Sequence, residues 1–384
     1  MKKRHEYDFI ILGGGCASLS FAVELTKNQV NKYKFLILED RKKYEDDKSW
    51  CFWHSKENPF STLVSKSWDS FSFSCDGKEI IHRSKEYCYQ YIRSLDFYKY
   101  ALKKIKKNPS IILKLGEKVL RTKKFDEKYI VKTNKQKYIT RSILDTRTKK
   151  DICLEEPFLF QSFLGYEILL NSNKYNTDKA HIMQDMRVSN DRFLFDYILP
   201  IKNNTVLIEL TSFSKQKLRK EELKKILEKD LVRKRIFNYK ILRTEFGIIP
   251  MGFLKKNKMK PNYFYAGALG GAVRASSGYA FLRIQKWAKD CAVCLKETGQ
   301  LISHPKENLI TFKLDKIFLN VLEKNIISAN QIFYFFFKKI NTNSLIRFMS
   351  GNPKMLDYLK IIIAMPKKFF LHMSVVKKYY DNKK

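Results

Sequence analysis

The apolar positions of this chain change period several times, and each change marks an element. Residues 8–12 (Asp-Phe-Ile-Ile-Leu) form a short apolar run that stops at three glycines, the pattern of a buried strand. Residues 19–26 continue with helical spacing, and residues 35–38 (Phe-Leu-Ile-Leu) are a second apolar run closed by Glu39. Strand, tight turn, helix and strand make a βαβ unit. Alternation over 68–75 and 87–92 predicts strands, and a helix follows to about 107 with Ser94 or Asp96 as its cap. Further strands are expected at 110–113, 128–133 and 143–145. From residue 160 the pattern is strand-rich: 182–187, 193–199 and 205–213 read as a meander in a mainly antiparallel sheet. A charged helix is expected at 215–227, strands at 244–252 and 263–266, and a helix at 281–297. Beyond 312 the chain is helical, basic and aromatic.

The first turn carries chemistry. Gly13 permits a sharp bend, Gly15 lets the backbone approach a pyrophosphate, and the helix N-terminus supplies free N–H donors. Glu39, 26 residues after Gly13, stands where an acid accepts hydrogen bonds from ribose hydroxyls. Ser18 occupies the third glycine position and is small enough for close helix–strand packing. The alternative is a plain glycine turn. A second glycine-rich stretch, Gly267, Gly270 and Gly271, precedes the 281–297 helix. Two distant segments gripping one cofactor favour FAD, which spans two sites, over a nicotinamide held by one. The expected fold class is α/β. A discontinuous FAD-binding, Rossmann-type domain (1–55, 108–155, 260–300) interleaves with an antiparallel-sheet substrate domain (56–107, 156–259), and a helical region (301–384) follows.

Composition narrows the classes. Hydrophobic residues make up 44% and aromatics 14%, which excludes overall disorder. The 29 Phe and 21 Tyr suit either an aromatic-rich core or a large apolar ligand. The net charge of +36 has three readings: nucleic acid, an anionic membrane surface, or a lysine-biased proteome. The lysines are spread along the chain and no recognition module appears, so nucleic acid is discounted. Seven scattered cysteines form no disulfide framework, which fits a reducing, cytoplasmic compartment. Cys291 and Cys294 form a CxxC inside a helix, without the second ligand pair zinc requires. No apolar stretch reaches the roughly 20 residues of a spanning helix, so any membrane contact is peripheral.

One acid stands in an apolar strand: Glu209, within Val206-Leu207-Ile208-Glu209-Leu210. Desolvation there would keep the carboxyl protonated and able to act as an acid. The alternative is an outward-facing glutamate on a solvated face.

These segments together resemble the lycopene cyclases of carotenoid-producing bacteria. The likeness rests on the first turn through Cys16-Ala17 and on Asp47-Lys48-Ser49-Trp50-Cys51-Phe52-Trp53, where the family usually has Arg and Thr at Lys48 and Ser49. It continues through residues 161–167, Met183-Gln184-Asp185-Met186-Arg187, residues 195–200, residues 207–211, Ile249-Pro250-Met251 and residues 267–285, in the family's order. Ser18 and Ala275 depart from the usual Gly and Pro. The resemblance implies a glutathione-reductase/hydroxylase-like flavoprotein and an isomerase (intramolecular lyase) that closes the ψ ends of lycopene into β rings without net redox change. It also implies reduced FAD, NAD(P)H as reductant, and Glu209 as the acid, with Asp185 as its rival. Lycopene would be drawn from a bilayer by a protein peripheral to the inner face of the cell membrane. The aromatic tail (333–337 and 369–373) is then a candidate contact surface, or ordinary helix packing. A related FAD-dependent hydroxylase or prenyl reductase is the competing activity, and a nonenzymatic basic interaction protein the third class.

Overall fold

A computed structural model describes residues 6–148, 152–255 and 260–369. It contains three sheets and eight α-helices among the described residues. The first sheet is built on the βαβ unit. Strand Glu6–Leu12 runs parallel to Phe35–Leu38 on one side and to Lys137–Asp145 on the other. The strands at its centre are apolar throughout because both faces are covered: Ile10, Ile11 and Leu12 have no exposed surface. Helix Cys16–Lys27 packs on one face, beside helix Phe281–Thr298 from far down the chain.

The second sheet has seven strands and forms the floor of the site. Its strand Leu154–Leu170 lies between Tyr239–Leu254 and Thr205–Ser214, followed outward by Arg192–Lys202 and Lys179–Ser189. Alternation divides its side chains. Val206, Ile208 and Leu210 pack with Leu223, Leu227 and Leu231 of helix Lys220–Arg233, while Leu207 and Phe213 face the opposite, aromatic core. The third sheet, Ser49–His54, Cys88–Arg93 and Lys66–Trp68, closes over that core. Four helices between Leu309 and Ala364 complete the covering.

Several local expectations are corrected. The single strand expected at 68–75 is two strands in different sheets, Lys66–Trp68 and Ser70–Cys75, parted at Asp69. The helix expected at 215–227 starts at Lys220. Before it, Lys215 pairs with Glu156 and Glu323, and the Leu218 amide donates to Ser162 Oγ. Neither Ser94 nor Asp96 caps helix Ser94–Ile105. Asp46, from a distant loop, accepts from Ser94 Oγ and from the Leu95 amide instead. Residues 49–54, an aromatic cluster in the sequence, are a strand.

Candidate active site

A single cavity of about 2000 Å³ runs from the first glycine turn, past Glu209, to the C-terminal helices. That is at least twice the size of an ordinary small-molecule pocket, which occupies roughly 300–1,000 Å³.

At its polar end, Gly13 takes a positive φ of +93° that bends the chain off the strand. The Gly14 amide donates to Glu39 Oε2, and the Arg41 amide and Nε donate to Glu39 Oε1 at 2.9 and 3.1 Å. A Cβ at Gly14 would lie 2.6 Å from the Tyr44 hydroxyl, whereas one at Gly15 would meet nothing within 4 Å. The protein therefore fills the space at Gly14 and leaves it open at Gly15, at the start of helix Cys16–Lys27. Arg147, gripped by Asp145 at 2.9 and 2.7 Å, adds positive charge to the same wall. Open backbone at a helix N-terminus, flanking guanidinium groups and a strand-end glutamate fit the diphosphate and ribose of a dinucleotide. Ser18 is fully buried and donates to the Gly15 carbonyl at 3.0 Å, so it supports the turn from behind.

The second glycine stretch differs from expectation. Gly267–Gly270 is a short 3₁₀ turn, and the helix begins only at Phe281, so this turn is not backed by a helix N-terminus. Gly267 lines the cavity and closes on Ala17, where a Cβ would sit 3.2 Å away. Gly270 is pressed against the Tyr265 carbonyl, and neither it nor Gly271 lines the cavity.

At the middle of the cavity the sheet register sets four residues in a row. Tyr197 stands opposite Glu209, Glu209 opposite Gly165, and Gly165 opposite Glu245. A side chain at Gly165 would meet Glu209 Cβ at 3.2 Å and Glu245 Oε1 at 3.3 Å. Its absence brings the two carboxyls within hydrogen-bonding reach of each other. Glu245 Oε2 accepts from Arg243 Nη1 at 2.9 Å and from Ser49 Oγ at 2.8 Å. Arg243 is itself buried among Glu167, Ser49 and Tyr91. Burial first, and the charge of Glu245 second, hold the Glu209 carboxyl well above the usual carboxylate range, against a hydrogen bond from Thr211 Oγ1 at 3.0 Å. Both glutamates line the cavity, so Glu209 faces inward rather than to solvent. Beside them lie Cys51, its thiol pushed up to about 12 by burial, and three tyrosines, Tyr89, Tyr197 and Tyr279, whose hydroxyls bond to one another through Tyr89.

Sequence reading missed Glu245. Its signal was an acid in the Thr244-Glu245-Phe246 run, but only the register places it across Gly165 from Glu209. Asp185 is not brought to this place. It sits at a β-bulge with φ +52°, pairs with Arg187, Arg233 and Lys234, and does not line the cavity.

The far end is apolar. Phe333, Phe336 and Phe337 line it and are buried, with Phe333 stacked on Phe193 and Phe337 on Phe73. These three are cavity wall, as the expectation of helix packing has it, while Phe335 of the same segment is exposed. Residues 370–373 of that expectation lie outside the described residues. Exposed apolar side chains nearby include Met355, Leu359, Ile362 and Ile363 on helix Met355–Ala364, and Leu309 and Ile317 on helix Leu309–Lys324. Ile317 and Ile362 also line the cavity, so it opens onto this face, among exposed Lys316, Lys360 and Lys367. Among the described residues no helix is long and apolar enough to cross a membrane.

Solved structures share this architecture. A geranylgeranyl bacteriochlorophyll reductase-like protein from Thermoplasma acidophilum aligns with a TM-score of 0.64 and 13% identity, covering 97% of this chain and 99% of its own. A flavoprotein/dehydrogenase from Cytophaga hutchinsonii aligns at 0.57 with 12% identity, over 93% and 99%. The p-nitrophenol 4-monooxygenase of Pseudomonas putida aligns at 0.56 with 12% identity, over 93% and 98%. At such identities the likeness is one of fold, a Rossmann-like α/β architecture. No curated protein matches the sequence. The protein-family description "Lycopene cyclase protein" matches residues 8–375, nearly the whole length, and the chain belongs to the lycopene cyclase family.

Proposed function

We propose that this protein is an FAD-dependent lycopene β-cyclase that works by acid-initiated, non-redox ring closure. The observation that carries this reading is Glu209, a buried carboxyl held well above the usual carboxylate range in the wall of a large cavity that also reaches the glycine turn. Gly13, Gly15, Glu39 and Gly267 would hold the FAD, with Ser18 behind the turn. Bound and kept reduced by NAD(P)H, the flavin would supply negative charge and electron density near the developing cation.

The chain's own residues account for the rest. Glu209 donates its proton to the terminal double bond of the substrate. The aromatic wall of Trp53, Tyr89, Tyr197 and Tyr279 excludes water and offers π faces to the carbocation, an attraction worth about 2 kcal/mol when desolvated. Length is accommodated by the phenylalanine-lined far end. The exposed apolar face at the cavity mouth, ringed by lysines, supports uptake of a carotene from an anionic bilayer by a protein peripheral to the inner face of the cell membrane.

The reductase-like and monooxygenase folds support a second reading, net redox chemistry on the same scaffold. Pigment analysis of a lycopene-accumulating cell expressing the chain separates the two. Cyclic carotenes formed at many rings per NAD(P)H support the cyclase. Oxygenated or reduced pigments, with one NAD(P)H consumed per product, overturn it.

A further inference from the structure

The row Glu209–Gly165–Glu245 contains one more acid than proton donation requires. Cyclisation that begins by adding a proton must end by removing one, so the site needs a base as well as an acid. Glu245 Oε2 is fully engaged by Arg243 and Ser49, but Oε1 is buried and accepts no hydrogen bond. This unpartnered oxygen lies on the side of Gly165, within 3.3 Å of where a Cβ would stand. A buried acceptor without a donor is costly, and a proton on Glu209 is the donor within reach.

We infer that Glu245 is the base of the reaction, taking the proton that the ring carbon loses, so that the two glutamates work as a single-proton pair across Gly165. This rests on the cyclase reading above. In the first step the Glu209 O–H bond breaks and a C–H bond forms at the terminal alkene. The neighbouring alkene supplies the electron pair of the ring C–C bond. The electrons of a ring C–H bond then become the new double bond, and the proton goes to Glu245 Oε1. No electron is gained or lost. The pair starts as Glu209 acid with Glu245 carboxylate and ends with the proton exchanged, and transfer across Gly165 resets it. Two carboxyls that share a proton titrate as a unit.

The charged and polar groups around the pair divide unevenly. Arg243, with Glu167 and Tyr91 behind it, and Ser49 contact Glu245, and Asp46 lies beyond Arg243. Thr211 and Tyr197 face Glu209, and Cys51 lies near both carboxyls. Arg243 hydrogen-bonds Glu245 and acts on Glu209 only from farther away, so Glu209 is the member of the pair placed to carry the proton.

The test is the pH–rate profile of flavin-reduced holoenzyme on lycopene in anionic liposomes, for the wild type, Glu245→Gln and Glu245→Asp. The wild type is expected to give a bell, active while the pair holds one proton. In Glu245→Gln the rate falls by about 10²-fold or more. Its alkaline limb moves to lower pH, because the neighbouring charge that holds the proton on Glu209 is gone. Its residual products shift to rings with the double bond elsewhere or to water-quenched alcohols. Glu245→Asp, slower but charged, keeps the alkaline limb in place. A Glu245→Gln enzyme with wild-type rate, limb and products overturns the inference. Should that variant not hold flavin, a wild-type profile with only one titrating group overturns it as well. A wild type that makes no cyclic carotene at all removes the cyclase reading instead.

Discussion

The two ends of the cavity's reactive half are built on opposite plans. The glycine-turn end comes mostly from one contiguous stretch, where Gly13, Gly15, Ser18 and Glu39 are brought together by a strand, a turn and a helix in sequence order. The carboxyl end comes from four strands, whose residues Gly165, Tyr197, Glu209 and Glu245 meet only through cross-strand register. The first is polar and cationic, and it presents open backbone at Gly15. The second is enclosed by aromatic rings, and its charge is gathered around Arg243 and the acids it pairs with. Recognition can be written locally, whereas a shifted proton needs a low-dielectric enclosure assembled from distant parts.

Substitutions at each end should therefore fail differently. The largest effect is expected from Glu209→Gln, which keeps the shape but has no acidic proton. Cyclisation should drop by roughly 10²–10⁴-fold while the flavin absorbance of the purified protein is retained. If Glu209→Gln stays fully active, the acid is elsewhere. Gly15→Asp attacks the other end. Its side chain enters the open space beside the helix N-terminus and opposes a diphosphate, a like-charge contact costing several kcal/mol, so FAD affinity should fall more than about a hundredfold. Titration of apoprotein with FAD measures this, and unchanged affinity would remove the diphosphate from that place. The smallest and most specific change is Gly165→Ala. Its methyl would press on both glutamates, at 3.1 Å from Glu245 Cγ and 3.2 Å from Glu209 Cβ. Overpacking of this kind costs about 1–3 kcal/mol, visible as a lower unfolding midpoint, and should slow turnover without loosening FAD. Weaker flavin binding there would mean that the two ends are not independent.

The same contrast governs what the sequence discloses. The βαβ unit was legible because apolar runs, glycines and a terminal acid all fall within one short window. Glu209 was half legible. Its apolar neighbours mark a buried strand, but which face it takes depends on the sheet around it. Glu245 was not legible, since nothing near it in the chain names Gly165 as its neighbour. Asp185 resembled a site residue until a β-bulge and three cations took it elsewhere. The aromatic tail carried its answer in its spacing. Positions 333, 336 and 337 share one helix face, and that face is cavity wall. Gly270 has no side chain because the Tyr265 carbonyl leaves no room for one, a packing constraint that no turn motif announces.

The alternation along Thr205–Ser214 makes length as binding as identity. Val206, Ile208 and Leu210 belong to the helix-side core and Glu209 to the cavity. Deleting one residue ahead of Glu209, or slipping the pairing by one, would send the glutamate into the leucines of helix Lys220–Arg233 and turn Ile208 or Leu210 toward the substrate. Every residue type would still be present, and the proton donor would face a wall of oil. Homologues of this chain should vary in the loops on either side of that strand while the count of residues within it stays fixed.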